Sequence, residues 1–184
     1  GYISKDRRFL TSLKPIAVEL KAPAIVKKMS EAGKLANVGP MAAVAGAIAQ
    51  FLGRDLLKKG YKEVIIENGG DIFLKTSKKR IVGIYAGENS PFTGKLAVEI
   101  EPNENGLGVC TSSGTVSHSL SFGNADVVLI ISDSAVLADA AATAAGNVVQ
   151  RSGEATSAVA EQFTLDQFFR DGGTIYFHER FMGS

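Results

Sequence analysis

The spacing of apolar positions predicts several helices in this chain. After Pro23, the apolar residues Ile25, Met29 and Leu35 are interspersed with charged residues, which favours a helix. Pro40 is well suited to begin a helix and Gly60 to end it. Helices are therefore predicted over 24–36, 41–59, 134–149 and, more briefly, 165–170. Ser132, Asp133 or Ser134 can cap the third of these.

Shorter apolar runs predict strands between the helices. The runs 63–67 and 72–75 flank Asn68-Gly69, which is a strong signal for a β-hairpin. Further strands are predicted over 80–86, 96–100, 127–132 and 174–177. Strands separated by long helices favour an α+β (mixed α/β) fold with a largely antiparallel sheet. Two helices rich in small residues, each beside a strand, hint at an internal duplication.

Size, charge and cysteine content narrow the class of protein. The 184 residues suit a single domain over 1–184, and 45% of them are hydrophobic, enough for a continuous core. Lys and Arg total 20 against 19 Asp and Glu, which argues against nucleic acid or a membrane as the main partner. A single cysteine excludes an internal disulfide and a cysteine-based metal cage.

These features together lead us to expect a soluble, cytoplasmic protein. The apolar stretch 41–52 is too short to span a bilayer. Because the chain starts with Gly-Tyr rather than Met, the question of whether an N-terminal segment is missing stays open. The small-residue helices are also compatible with self-association into a homo-oligomer.

The turn Asn68-Gly69-Gly70-Asp71 is the first candidate for chemistry. Two consecutive glycines permit positive φ angles and expose backbone N–H groups, so a ligand can approach the main chain. A plain type I′ hairpin turn explains the same residues equally well.

A polar segment over 110–126 is the second candidate. Positions 111–124 contain five Ser, two Thr, two Gly and one His. Hydroxyls and backbone amides at a glycine-rich bend are the donors that a phosphate needs. His118 could transfer a proton near neutral pH. The alternative is a polar surface loop.

The third candidate is an acidic residue on the predicted helix 134–149. Asp139 and Thr143 are four positions apart, hence on one helix face, among alanines. A buried carboxylate is costly without a positive partner, and no Lys or Arg is near in sequence. A hard cation such as Mg²⁺ would meet that need. The alternative is an exposed aspartate on a half-buried helix.

Taken in order, the three segments resemble the ApbE superfamily, whose best-known members are FAD:protein FMN transferases. The family's Gly-Gly-Asp hairpin resembles 68–71, its Thr/Ser-Ser-Gly loop resembles 111–114, and its Ala-Asp-x-x-x-Thr helix resembles 138–143. The segments 38–46 and 117–126 look like signatures of an uncharacterised branch of the superfamily. The resemblance covers roughly 14–147.

The resemblance implies a site for a flavin nucleotide, FAD or FMN, with Mg²⁺. Asp139 and Thr143 would be metal ligands, a backbone carbonyl of 41–46 would be a third, and His118 would be the general base. The implied cofactor-binding residues are Asn68, Gly69, Gly70, Asp71, Thr111, Ser112, Ser113, Gly114 and Thr115. The transferases pass FMN to a Thr or Ser of a target protein and release AMP, so a protein acceptor is implied as well.

The chain also departs from the transferase pattern. Ala45, Gly46 and Gln50 stand where the transferases have a Lys-Gly pair and an Asp. Leu120-Ser-Phe-Gly-Asn124 replaces an Asp-Pro-x-Thr-Gly turn, and no export signal is visible. Two hypotheses follow: a Mg²⁺-dependent enzyme that transfers FMN or cleaves FAD, and a non-catalytic flavin-binding or carrier protein. A different reaction on the same scaffold is a third.

Overall fold

A computed structural model describes residues 1–85, 93–112 and 127–148 in full, and the backbone of 174–178. The predicted helix 165–170 lies outside these residues.

Five α-helices lie in the described residues, and two of them confirm predicted helices closely. The helices are α1 (Tyr2–Lys5), α2 (Arg8–Thr11), α3 (Ala24–Leu35), α4 (Val44–Lys58) and α5 (Ala135–Val148). The predicted helix 41–59 begins instead as a 3₁₀ turn, Pro40–Ala43, before α4 continues it. The short helices α1 and α2 were not predicted, because that segment has no clear periodicity.

The strands form a five-stranded sheet and a separate two-stranded ribbon. They are β1 (Val64–Asn68), β2 (Asp71–Thr76), β3 (Arg80–Ile84), β4 (Leu96–Ile100), β5 (Asn103–Ser112), β6 (Val127–Ser132) and β7 (Thr174–His178). The sheet order is β1-β2-β5-β6-β7, and the ribbon pairs β3 with β4. All paired strands are antiparallel, as predicted.

Strand β5 lies at the centre of the sheet and was not predicted. Its first half contains Asn103, Glu104, Asn105 and Gly106, residues that are depleted in strands. Its second half pairs with β2 and β6, and Cys110 there is fully buried. Thr111 and Ser112, predicted to lie in a polar segment that binds phosphate, are therefore the last residues of a strand.

The hairpin between β1 and β2 positions the first acidic residue of the site. Gly69 and Gly70 have φ angles of +66° and +99°, as both central residues of a type I′ turn require. Asn68 pairs with Asp71 across the turn, so Asp71 is the first residue of β2.

The two faces of the sheet are covered by different elements. Phe73, Cys110, Val128 and Ile130 belong to a core shared with the helices. Leu74, Val109 and Leu129 face the other way and pack with residues of the β3–β4 ribbon. Alternate residues of β2, β5 and β6 thus reach opposite sides of the sheet.

No single helix in the described residues is long and apolar enough to cross a membrane. Only α3 taken together with Pro40–Lys58 meets the length and composition criteria, and these two segments are bent by 107°.

Candidate functional site

The candidate site is built around α5, a helix in which half of the residues are alanine. Ten of its residues are buried, Asp139 among them with 8% of its surface exposed. Alanine side chains are small enough to let α4 and the sheet approach the backbone of α5 closely. The alternative of an exposed aspartate on a half-buried helix is therefore wrong.

The Asp139 carboxylate is directed at the beginning of α4. Its Oδ2 accepts a hydrogen bond from Gly46 N at 2.9 Å. A side chain at Gly46 would overlap the Ala135 carbonyl oxygen, and its Cβ would come within 2.9 Å of Asp139 Cβ. The absence of a side chain at Gly46 thus allows the backbone of α4 to reach this carboxylate.

Gln50, one turn further along α4, holds the start of α5. Its Oε1 accepts from Val136 N at 3.4 Å and from Ser134 Oγ at 3.3 Å. Ser134 Oγ in turn accepts from Leu137 N at 3.3 Å, which identifies Ser134 as the cap among the three predicted candidates. Gln50, which stands where the transferases have an Asp, is buried with 7% exposure and helps to hold α4 against α5.

Asp71 is the second buried carboxylate of the site. It is 6% exposed, and its Oδ1 accepts from Thr111 N at 3.3 Å. Burial raises the pKa of Asp71 to about 7, opposed by hydrogen bonds from the Cys110 thiol and Thr111 N–H. Asp71 therefore ties the hairpin to the end of β5.

Asp139 and Asp71 influence each other electrostatically. Burial raises the pKa of Asp139 well above its usual value, and the charge of Asp71 raises it further. Hydrogen bonds from the Gly46 and Ala45 N–H groups oppose this rise. Burial and then the two carboxylates also raise the pKa of the Cys110 thiol.

One cavity of about 380 Å³ brings the predicted metal ligands Asp139 and Thr143 together with Asp71, which was predicted to bind the cofactor. Asp71, Asp139 and Thr143 all line it. The 3₁₀ turn, the start of α4 and part of the N-terminal segment complete its walls, with Met41, Ala45 and Ser12 among the lining residues. In the part of the chain that the structure describes, neither carboxylate forms an ion pair with a basic side chain.

These donors are compatible with Mg²⁺. Two carboxylates and a hydroxyl are oxygen ligands of the kind a hard cation prefers, and Mg²⁺ usually keeps waters and phosphate oxygens for the rest of its shell. Within the described residues no group of three or more His, Cys, Asp or Glu side chains is arranged to hold a metal. A metal here would accordingly depend on a ligand for part of its coordination.

The remaining predicted residues separate into three sets. Gly69, Gly70 and Thr111 line a second cavity of about 400 Å³. Asn68 donates from Nδ2 to the Ala45 carbonyl at 3.3 Å, and Ser112 is buried. Ser113, Gly114, Thr115 and His118 lie outside the described residues.

Three residues that help to position the site were not predicted from the sequence to do so. Gly46, Gln50 and Cys110 contact the site through backbone, amide and thiol groups. For Gln50 the available signal was the departure from the transferase pattern at that position, whereas Gly46 matches the glycine of that pattern. Cys110 had no signal beyond its place next to the polar segment.

Two solved structures share this fold. The apo form of the flavinyl transferase ApbE from Pseudomonas stutzeri is 18% identical, with a TM-score of 0.54 over 78% of this chain and 48% of that one. The ApbE protein from Thermotoga maritima is 17% identical, with a TM-score of 0.52 over 78% of this chain and 52% of that one. At these identities the similarity establishes the ApbE-like fold alone.

Closer relatives come from methanogens. A UPF0280 protein from Methanococcus aeolicus is 52% identical over 149 residues, which are 80% of this chain and 60% of the relative. A UPF0280 protein from Methanocella arvoryzae is 49% identical over 147 residues, 80% of this chain and 59% of the relative. The chain thus spans about 60% of the length of these curated relatives.

The family comparison covers most of the chain. The model described as "AbpE bacteria" matches residues 1–167, which include both buried carboxylates and the hairpin. The ApbE-like fold agrees with this match. The chain therefore belongs to the AbpE bacteria family, within the ApbE-like superfamily.

Proposed function

We propose that this protein binds a flavin nucleotide, FAD or FMN, with Mg²⁺, and that it transfers FMN to a protein hydroxyl or cleaves the pyrophosphate of FAD. The observation that carries the proposal is the buried carboxylate of Asp139, which lines one cavity with Asp71 and Thr143. A family match and a fold shared with a flavinyl transferase support the flavin part.

Electrostatics supports a cation in this cavity. Two buried carboxylates whose pKa values are raised by burial, with Asp71 raising that of Asp139 further, favour either a bound proton or a bound cation. A pyrophosphate brought into the same cavity would add negative charge, so phosphate and carboxylates would both be stabilised by a divalent ion. Mg²⁺ would supply charge neutralisation for phosphoryl chemistry.

The protein's own residues would orient the nucleotide. Asp139 and Thr143 would hold the metal, with a backbone carbonyl of 41–46 as a further oxygen. The phosphate would be bound by the segment 111–115, whose first residue is anchored to Asp71. His118 would accept the proton of an attacking hydroxyl from an acceptor protein.

A non-catalytic flavin-binding protein is the second candidate. Gln50, where the transferases have an acidic residue, bonds the start of α5 instead of lining the cavity with the carboxylates. Ala45 likewise offers no charged side chain. The site thereby has fewer charged groups for chemistry while the cavity itself is retained.

Incubation of the purified protein with FAD and Mg²⁺ separates the two candidates. Release of AMP, blocked by a chelator, would support the enzyme, whereas tight flavin retention without AMP would support the binding protein. FMN serves as the control, because it has no pyrophosphate to cleave. Absence of both flavin binding and AMP release would overturn the proposed function.

A further inference from the structure

The second cavity lies on the side of the sheet opposite Asp139. Its floor is formed by residues of β2, β5 and β6 that point away from the helices, among them Ile72, Val109 and Leu129. The β3–β4 ribbon provides Val82 as a wall, and Tyr85 follows β3 at the edge. The volume of about 400 Å³ falls within the range of small-molecule sites.

The lining of this cavity is apolar in the middle and polar at one end. Tyr85 is 53% exposed, so part of its ring is available for contact with a ligand. At the polar end, Glu67 accepts the Gly70 N–H through Oε1 at 2.7 Å, and Thr111 Oγ1 donates to the Gly70 carbonyl at 3.4 Å. An apolar slot with an aromatic edge and a few polar groups fits a flat heteroaromatic ring.

Consecutive residues of the hairpin turn line this cavity and the carboxylate cavity. Gly70 lines the second cavity, and Asp71, the next residue, lines the first. Thr111 lines the second cavity, while its backbone N–H bonds Asp71. A single ligand that passes over the Gly69–Gly70 turn, which has no side chains, could therefore occupy both cavities.

We propose that the second cavity binds the isoalloxazine ring of the flavin, with Tyr85 against the ring, while the phosphates reach the Asp139 cavity over the Gly69–Gly70 turn. The inference rests on the proposed function, and it adds the ring-binding residues that the motifs do not assign. It predicts that the ring alone has affinity for the protein and needs no Mg²⁺.

Riboflavin, which has the ring but no phosphate, is the direct probe. Binding is measured by the quenching of flavin fluorescence in the presence of a chelator. Substitution Tyr85→Leu should weaken riboflavin binding about tenfold, because loss of one stacked aromatic contact typically lowers the binding affinity by roughly that factor. Tyr85→Trp should retain it, and this rescue would not be expected if Tyr85 acted only through the fold.

Tyr61→Leu is the matched control, since Tyr61 is a similarly exposed tyrosine, at 60%, that does not line the cavity. It should leave riboflavin binding unchanged. Equal riboflavin affinity in wild type and Tyr85→Leu, or FAD binding with no affinity for riboflavin, would overturn the ring assignment alone. Failure to bind FAD as well as riboflavin would instead overturn the proposed function on which it rests.

Discussion

At the level of single residues, burial disfavours the negative charge on the two carboxylates of the site, Asp71 and Asp139. Asp71 has a pKa raised to about 7, and the pKa of Asp139 is raised further by the charge of Asp71. In the unfolded chain both would ionise near the ordinary aspartate value of 3.8. Folding therefore retains protons that the unfolded chain releases.

This difference predicts how stability changes with pH. Between about pH 4 and pH 7 the unfolded chain binds fewer protons at these sites, so the free energy of unfolding of the metal-free protein should fall as pH rises. Thermal unfolding in a chelator checks the trend. Asp71→Asn, which keeps an acceptor for Thr111 N–H, should show a flatter decline than wild type. An equally steep decline in this variant would contradict the role of Asp71.

Local sequence predicted the hairpin turn Asn68-Gly-Gly-Asp71, and it offered a buried Asp139 as one of two alternatives. The structure has both the turn and the buried carboxylate. The meeting of Asp71 with Asp139 could not be predicted by spacing, because the two lie on different elements far apart in the chain. Tertiary packing alone brings them into one cavity.

At the scale of elements, the site depends on the close packing of α4 against α5. Gly46 N–H reaches Asp139, and Gln50 bonds the first turn of α5. Both contacts require the helix backbones to lie near each other. Strand β5 was not predicted, because its polar and glycine-rich first half obscures a buried second half.

Substitution Gly46→Ala tests this packing. The added methyl group would overlap the Ala135 carbonyl and press on Asp139, so we expect a loss of about 1–3 kcal/mol in the free energy of unfolding. Denaturant unfolding followed by circular dichroism measures it. Gly83→Ala is the control, because a Cβ there meets no atom within 4 Å. A Gly46→Ala protein as stable as the control would show that α4 and α5 pack less tightly than described.

At the scale of the whole molecule, the sheet separates two cavities that the hairpin turn brings close together. The helices cover the carboxylate side, and the β3–β4 ribbon covers the other. Residues of the family motifs line cavities on both sides of this sheet. A flavin nucleotide that extends over the turn would use both cavities.

The proposal that Asp139 holds a metal needed for nucleotide binding is tested by FAD affinity measured with and without Mg²⁺. Asp139→Asn keeps an acceptor for the Gly46 N–H and removes the charge, while Asp133→Asn makes the same change at an exposed position beside α5. By calorimetry, Mg²⁺ should tighten FAD binding in wild type and Asp133→Asn, and Asp139→Asn should lose at least about tenfold of that affinity. An Asp139→Asn protein with the full Mg²⁺-dependent affinity for FAD would contradict the account.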